Sequence, residues 1–180
     1  MSVSVSVRGI LYYKRGETLW YFGHHIDNQS GVADAWNGLW TLAGLPILGC
    51  SPSERTYLAF AGRPCNERIN EASYEFNQKW EPTLANLQAS LPGSTIVYSD
   101  IYTIAVQAVQ NPLYYGFQEV TRGCCGTGLA EVGQQCRQAA RLSFPDADRS
   151  IYWDFVHPTQ RMYKIIADLV MEQDIPALLN

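Results

Sequence analysis

Hydrophobic positions at helical spacing mark the middle of the chain. Seven residues recur at steps of three and four and share one face of a predicted helix: Ile69, Ser73, Phe76, Trp80, Leu84, Leu87 and Leu91. Pro82 lies within this run, where it removes one backbone hydrogen bond and is expected to kink the helix. The turn-forming sequence Leu91-Pro92-Gly93-Ser94 is expected to end the helix.

Short apolar runs on either side of this helix predict two strands. The first covers residues 42–48, although Pro46 cannot donate a hydrogen bond to a sheet. The second covers residues 95–98, which are β-branched or aromatic. A further helix is predicted over residues 101–109. The order strand–helix–strand–helix favours an α/β chain with parallel strands.

The two ends of the chain follow different patterns. Pro158 stands where the first residue of a last helix would lie. The apolar face of that helix consists of Met162, Ile165, Ile166 and Leu169. Residues 110–150 are rich in glycine and predict loops. In residues 1–41 the apolar spacing fits neither a strand nor a helix for long, so no regular element is predicted there.

The composition narrows the classes of function. The chain has 180 residues, of which 47% are hydrophobic, so we expect one folded domain and exclude a disordered chain. Its 13 Lys and Arg against 17 Asp and Glu give a net charge of −4, and the basic residues are scattered, which argues against a nucleic-acid partner. No apolar run approaches the about 20 residues that a transmembrane helix needs, and no signal-peptide pattern is visible.

The sharpest candidate for chemistry is the pair Asp154 and His157. A carboxylate and an imidazole three residues apart can meet in a turn ahead of a helix, where the carboxylate orients the ring and leaves its other nitrogen free as a base. The alternative is a capping aspartate beside an unrelated surface histidine. D-x-x-H is a weak pattern, so the spacing leaves both interpretations open.

A general base needs a nucleophile, and the sequence offers candidates by residue type only. Three serines are candidates: Ser51, Ser53 and Ser99. None lies in a G-x-S-x-G motif, and each is more simply a loop or strand-end serine. Cys124 or Cys125 could supply a thiolate that pairs with His157, but cysteines bonded in bridges are the simpler interpretation.

No metal ion or organic cofactor is predicted. His24 and His25 are adjacent, so in a strand they would point to opposite faces and chelate poorly, and a solvated polar turn is the simpler interpretation. The glycine-rich residues 123–128 match neither a dinucleotide-binding nor a phosphate-binding loop. The five cysteines include no C-x-x-C pair that would indicate zinc.

A series of motifs runs through residues 42–175 in a fixed order. They are Gly44-Leu45-Pro46-Ile47-Leu48-Gly49-Cys50-Ser51-Pro52, Asn70-Glu71-Ala72-Ser73 with Phe76-Asn77, Leu91-Pro92-Gly93-Ser94, Tyr98-Ser99-Asp100-Ile101-Tyr102, Pro112-Leu113-Tyr114-Tyr115-Gly116-Phe117, Gly123-Cys124-Cys125-Gly126-Thr127-Gly128 and Tyr152-Trp153-Asp154-Phe155-Val156-His157-Pro158-Thr159. Each motif is modest by itself, but the ordered set is specific. It resembles the C-terminal part of the plant-type GDSL esterase/lipase family, within the SGNH hydrolases.

The resemblance implies a fold and a reaction. The fold is a flavodoxin-like α/β/α sandwich, of which this chain holds the C-terminal part with few parallel strands. The reaction is hydrolysis of carboxylic or lipid esters, with His157 as the general base of a Ser-His-Asp triad and Asp154 orienting it. The resemblance implies no cofactor, a small-molecule or lipid ester as substrate, a role in lipid degradation and an extracellular location.

The N-terminal part departs from the family pattern. The family's serine lies in a GDS block, and its oxyanion donors include a glycine and an asparagine in later blocks, but residues 1–41 contain none of them convincingly. Phe22-Gly23 begins like the GDS block, but His24 and His25 stand in the Asp and Ser positions. We therefore expect a divergent segment over residues 1–41 and the C-terminal part of a hydrolase domain over 42–180. Such a chain would be truncated and inactive alone, or a non-catalytic, partner-binding remnant of the family.

Further expectations follow from the resemblance. Cys50 is expected to be bonded to Cys65, and Cys136 to either Cys124 or Cys125. The chain keeps only the last two strands of the family's sheet, so the edge that would face the central strands is expected to be exposed. An exposed apolar edge allows self-association through strand pairing.

Overall fold

The computed structural model describes residues 6–14, 17–26, 38–58, 64–138, 144 and 146–179, with the backbone alone at 6–14, 17–26 and 137–138. The chain forms two compact units. The first consists of Met1–Leu45, Phe76–Ile101 and Leu169–Asn180, and the second of Pro46–Glu75 and Tyr102–Asp168. Both units are therefore built from stretches that are separate in the sequence.

The first unit contains a four-stranded mixed sheet. Its strands are β1 (Ser6–Lys14), β2 (Glu17–Ile26), β3 (Leu39–Ala43) and β4 (Thr95–Ser99), in that spatial order. β1 pairs antiparallel with β2, β2 pairs antiparallel with β3, and β3 pairs parallel with β4. The second predicted strand, over residues 95–98, is confirmed as β4.

The first predicted strand, over residues 42–48, is wrong in its bounds, because β3 ends at Ala43. At Leu45 the side-chain amide of Asn77 binds both backbone groups. Leu45 N is 2.7 Å from Asn77 Oδ1, and Asn77 Nδ2 is 2.8 Å from Leu45 O. Pro46 then has no N–H to donate, so a strand ladder cannot continue past this point.

Two expectations for the N-terminal part are wrong. Residues 1–41, for which the spacing predicts no regular element, contain β1, β2 and the start of β3. Aromatic and β-branched residues are frequent here, and they favour strands even where the alternation is imperfect. Because β2 pairs with residues 39–42 of β3, the edge of β3 that we expected to be exposed is occupied there.

The second unit contains a two-stranded parallel sheet of β5 (Glu119–Gly123) and β6 (Ser150–Tyr152). Its hydrophobic core consists of Ala105, Ala108, Phe117, Ile151, Tyr152 and Met162. The apolar pattern misses β5, which lies in the stretch predicted to be loops, because its sequence EVTRG is mostly polar. The mixed α/β class with short parallel strands is confirmed.

The described residues form six α-helices. They are α1 (Pro52–Tyr57), α2 (Glu67–Ser90), α3 (Ile101–Gln110), α4 (Gln134–Gln138), α5 (Gln160–Leu169) and α6 (Ile175–Leu179). α2, with Pro82 inside it, and α3 confirm the predicted helices. α5 confirms the last predicted helix but begins at Gln160 rather than at Pro158, because the Thr159 hydroxyl accepts from Met162 N at 3.3 Å and caps the helix. Across the described ranges, no helix has the length and apolar character to cross a bilayer.

Candidate active site

Asp154 and His157 lie in the tight turn that follows β6, and the turn brings their side chains together. His157 Nδ1 is 2.9 Å from Asp154 Oδ2 and 3.0 Å from Asp154 Oδ1. The turn closes through Trp153 N, which donates to His157 O at 2.8 Å. The two side chains are therefore in contact, and His157 is not an unrelated surface histidine, although Asp154 also accepts from backbone amides of the turn as a capping aspartate does.

Backbone amides hold the buried carboxylate of Asp154, a residue that is only 2% exposed. Its Oδ1 accepts from Val156 N at 2.8 Å and from His157 N at 2.6 Å. Its Oδ2 accepts from Gly133 N at 3.2 Å. Burial by itself would raise the pKa of Asp154, but the amides and the imidazole outweigh it and hold the pKa below its usual value. The carboxylate is therefore ionised at neutral pH.

The imidazole of His157 is open to solvent, with 57% of its side chain exposed. An ionised carboxylate can only accept a hydrogen bond, so the contact favours the tautomer that carries its proton on Nδ1. Nε2 is then left with its lone pair, the form that a general base requires. The pair couples a buried anion to an accessible basic nitrogen.

Two further titratable side chains lie near Asp154. Burial and the charge of Asp154 raise the pKa of Tyr163. Burial, with a smaller contribution from Asp154, raises the pKa of Cys124 to about 11. The buried Cys124 thiol lies 3.5 Å from Trp153 O, to which it donates. Burial and a raised pKa both favour the protonated thiol of Cys124 at neutral pH, which argues against the hypothesis that it supplies a thiolate.

The structure contains two disulfides, Cys50–Cys65 and Cys125–Cys136. Of the two partners left open for Cys136, the structure has Cys125. A bonded sulfur cannot be a nucleophile, so the thiolate hypothesis fails for Cys125. Cys124 is the free cysteine.

The contacts found for the three candidate serines do not involve the ring of His157. Ser51 caps α1, and its Oγ lies 2.7 Å from Ser53 Oγ. Ser99 belongs to the first unit, at the end of β4, where its buried Oγ has no partner among the described residues. Within the described part of the second unit, no serine hydroxyl contacts the ring of His157.

Two further sequence features are weighed as binding motifs, the adjacent histidines and the glycine-rich residues 123–128. His24 and His25 lie in β2, but their side chains are outside the described residues. The glycine-rich residues 123–128 form a tight turn in which Gly123 N donates to Gly128 O at 3.0 Å. In the part of the chain that the structure describes, no cluster of three or more His, Cys, Asp or Glu side chains could hold a metal ion.

Gly133 is the residue of this site that sequence reasoning missed. It contributes a backbone N–H to Asp154, and a backbone donor leaves no trace in the residue type. The available signal is indirect: Gly133 has φ +56° directly before α4, a conformation that favours glycine.

A buried aspartate that orients an exposed histidine at the end of a strand, in a mixed α/β chain, is the arrangement found in hydrolases with a catalytic triad. The sequence matches the family described as GDSL-like Lipase/Acylhydrolase over residues 29–170. The chain belongs to this family, which confirms the resemblance of its motifs and places it among the SGNH α/β/α hydrolases.

Curated relatives from Arabidopsis thaliana agree with this assignment. The anther-specific proline-rich protein APG is 42% identical over 135 residues, which cover 75% of this chain and 25% of that protein. The GDSL esterase/lipase EXL3 is 38% identical over 130 residues, which cover 72% and 36% of the two chains. The GDSL esterase/lipase At5g42170 is 34% identical over 179 residues, which cover 97% and 47%. The chain thus spans between a quarter and a half of the length of these relatives.

Proposed function

We propose that this chain supplies the aspartate and the histidine of a Ser-His-Asp triad that hydrolyses carboxylic esters, including lipid esters. The observation that carries the proposal is the contact between His157 Nδ1 and the buried, ionised carboxylate of Asp154. Membership of the family supports the same reaction, because EXL3 and At5g42170 are named as esterase/lipases.

In this mechanism His157 moves a proton in each of two half-reactions. Its Nε2 takes the proton of the serine hydroxyl as that oxygen attacks the ester carbonyl, and then gives it to the leaving alcohol as the C–O bond breaks. Water then attacks the acyl-serine with the same nitrogen as base, which releases the carboxylic acid and restores the serine. Asp154 keeps its charge throughout, holds the ring in one tautomer and stabilises the imidazolium.

The serine and the oxyanion donors of this proposal come from residues that the sequence does not contain. No GDS block is present, and the described serines of the second unit do not contact the ring of His157. Loss of the nucleophile of a triad costs about 10⁶ in kcat. We therefore infer that residues 42–180 are the C-terminal part of a hydrolase domain, preceded by a divergent segment, and that this chain alone is inactive.

The proposed site of action is extracellular, with breakdown of lipids as the role. Two disulfides in the second unit support this location, because disulfides persist in oxidising compartments and are rare in the cytosol.

The test compares the 180-residue chain with a longer product that joins a GDS block and its oxyanion blocks to residue 42. Hydrolysis of a p-nitrophenyl ester and labelling by a fluorophosphonate, which reacts with activated serines, are measured for both. We expect activity and labelling in the longer product only. There, His157→Ala should lower kcat by about 10⁶, and Asp154→Asn by about 10⁴.

The matched control is a second aspartate that contacts a basic side chain three residues later in the sequence. Asp146 forms a pair with Arg149, three residues on, at 3.1 Å, but both side chains are more than half exposed. Asp146→Asn should therefore leave kcat unchanged in the longer product, because an exposed pair of this kind contributes little.

Three outcomes would overturn parts of the proposal. Saturable hydrolysis by the 180-residue chain that His157→Ala abolishes would contradict the need for a serine from elsewhere. Activity of the longer product that survives His157→Ala would contradict the role of the pair. If no product hydrolyses any ester, the non-catalytic, partner-binding alternative replaces the enzyme.

A further inference from the structure

We propose that Gly133 is a positioning residue for the Asp154–His157 pair, and that the Cys125–Cys136 disulfide holds Gly133 in place. The proposal rests on the proposed function in one respect, namely that Asp154 orients the base. It concerns the backbone of a neighbouring loop, whose role the residue types do not reveal.

The two oxygens of Asp154 are held by different parts of the chain. Oδ1 accepts from Val156 N and His157 N, which belong to the same turn as the carboxylate. Oδ2 accepts from Gly133 N, which lies 21 residues earlier in the sequence. Both oxygens also lie within 3.0 Å of His157 Nδ1, the ring that the carboxylate has to orient. The contact from Gly133 holds Oδ2 from outside the turn and so fixes the plane of the carboxylate independently of the imidazole.

Two backbone hydrogen bonds and one disulfide connect Gly133 to the turn of Asp154. Cys125 N donates to Trp153 O at 2.8 Å, directly before Asp154. Cys125 is bonded to Cys136, and Cys136 N donates to Gly133 O at 3.2 Å. The disulfide is the covalent connection in this path. Without it, Gly133 is joined to Cys125 only through the intervening loop.

The intervening loop has supports of its own. Glu131 accepts from Thr127 N at 2.9 Å and from Thr127 Oγ1 at 2.8 Å. The carbonyl oxygen of Glu131 accepts from Phe155 N at 2.9 Å. Because these contacts do not involve the disulfide, we expect the loop to loosen rather than to unfold when the bond is removed, and the Gly133 contact to weaken.

The test removes each disulfide in turn from the intact chain. Cys125→Ser/Cys136→Ser breaks the bond next to Asp154, and Cys50→Ser/Cys65→Ser breaks the other bond of the same unit as a matched control. The pKa of the Asp154 carboxyl is measured by ¹³C NMR, and the protection of the Gly133 amide by hydrogen exchange. The titratable groups facing Asp154 among the described residues are His157, Cys124 and Tyr163, and both variants keep all three.

In Cys125→Ser/Cys136→Ser we expect the pKa of Asp154 to rise toward its ordinary value, because a donor to the charged form is lost. Protection of the Gly133 amide should fall by about tenfold or more. In Cys50→Ser/Cys65→Ser both changes should be smaller, because this segment reaches the turn through Ser53 N, which donates to Phe155 O at 3.0 Å, rather than through a contact with the carboxylate. An unchanged pKa in the first variant, or an equal rise in both, would overturn the proposal.

A second variant keeps the test decisive if the first does not fold. Gly133→Ala retains both disulfides, and its Cβ would meet no atom within 4 Å, but φ +56° disfavours alanine and displaces the N–H. The control Gly93→Ala places alanine at φ +92° in the first unit. Only Gly133→Ala should raise the pKa of Asp154, and an unchanged value would overturn the proposal. Because the readout is a pKa rather than turnover, it stays informative even if no ester is hydrolysed.

Discussion

The two disulfides close segments of similar length in the same unit, but the hydrogen bonds that the two segments make are different. The first disulfide segment, residues 50–65, contains α1 and the buried Arg55, whose Nε donates to Cys50 O at 2.8 Å. The second disulfide segment, residues 125–136, consists mainly of turns, and its Gly133 N–H binds Asp154 outside the segment. Both segments contact the turn of Asp154, because Ser53 N of the first donates to Phe155 O at 3.0 Å, but the bond to the carboxylate itself comes from the second.

The largest effect is expected from alanine at the glycine ahead of each segment. A Cβ at Gly49 would collide with the backbone oxygen of Asn66, and a Cβ at Gly123 would lie 2.6 Å from Asp154 O. Each substitution should lower the free energy of unfolding by about 3 kcal/mol or more, measured in urea. Only Gly123→Ala should also shift the ¹³C signal of the Asp154 carboxyl. An equal shift in Gly49→Ala would remove the distinction between the segments.

Removal of either disulfide should cost nearly the same stability. The bonded cysteines are 15 residues apart in the first segment and 11 in the second. Loop-closure entropy then predicts losses of about 3 kcal/mol for both pairs of Cys→Ser changes, because the cost varies only with the logarithm of loop length. Guanidinium unfolding without reductant measures both. A loss larger by more than about 1 kcal/mol for the second pair would show that its contacts to Asp154 also stabilise the fold.

Smaller losses should follow from removing one hydroxyl in each segment. Ser51 Oγ accepts from Glu54 N at 3.5 Å as the cap of α1, and Thr127 Oγ1 donates to Glu131 Oε2 at 2.8 Å. Ser51→Ala and Thr127→Val should each lower the free energy of unfolding by about 1 kcal/mol. Hydrogen exchange at Gly133 should increase more in Thr127→Val. An equal increase in Ser51→Ala would show that the hydrogen bond between the segments, from Thr56 Oγ1 to Leu129 O at 3.2 Å, couples them fully.

The smallest expected effect is a loss of folding stability at acid pH. Burial opposes ionisation of Glu131, but hydrogen bonds from Thr127 and Ala130 outweigh it and lower the pKa to about 2 from its usual 4.5. This carboxylate therefore contributes stability that is fully present above about pH 4.5 and is lost as the pH falls toward 2. Glu131→Gln should lower the urea midpoint at pH 5.5 and have less effect at pH 3. A pH-independent difference would contradict this, and partial exposure keeps the effect small because solvent screens the charge.

Periodicity and local pattern predict the parts of the fold in which neighbours in sequence decide the outcome. α2 follows from apolar residues on one face, and β4 from four β-branched or aromatic residues in a row. The end of β3 could not be predicted in this way, because Asn77 binds the backbone of Leu45 across 32 residues. β5 is mostly polar and gives no apolar signal.

The candidate site likewise has parts that the local sequence pattern can predict and parts that it cannot. The D-x-x-H spacing allows the pair as one of two interpretations, and the turn brings Asp154 and His157 into contact. Spacing could not choose between Cys124 and Cys125 as the partner of Cys136, because the two differ by a single residue in their distance from it along the chain. It also could not reveal Gly133, whose contribution is a main-chain amide.

The division of the two units along the sequence has a consequence for synthesis on the ribosome. The second unit ends at Asp168, whereas the first unit includes Leu169–Asn180. A nascent chain emerges from its N-terminus at about 5–20 residues per second. Every residue of the second unit has therefore been translated before the last stretch of the first unit. A nascent chain stalled once residue 168 has emerged would contain all of the second unit, including Asp154 and His157, while the first unit still lacked its last stretch.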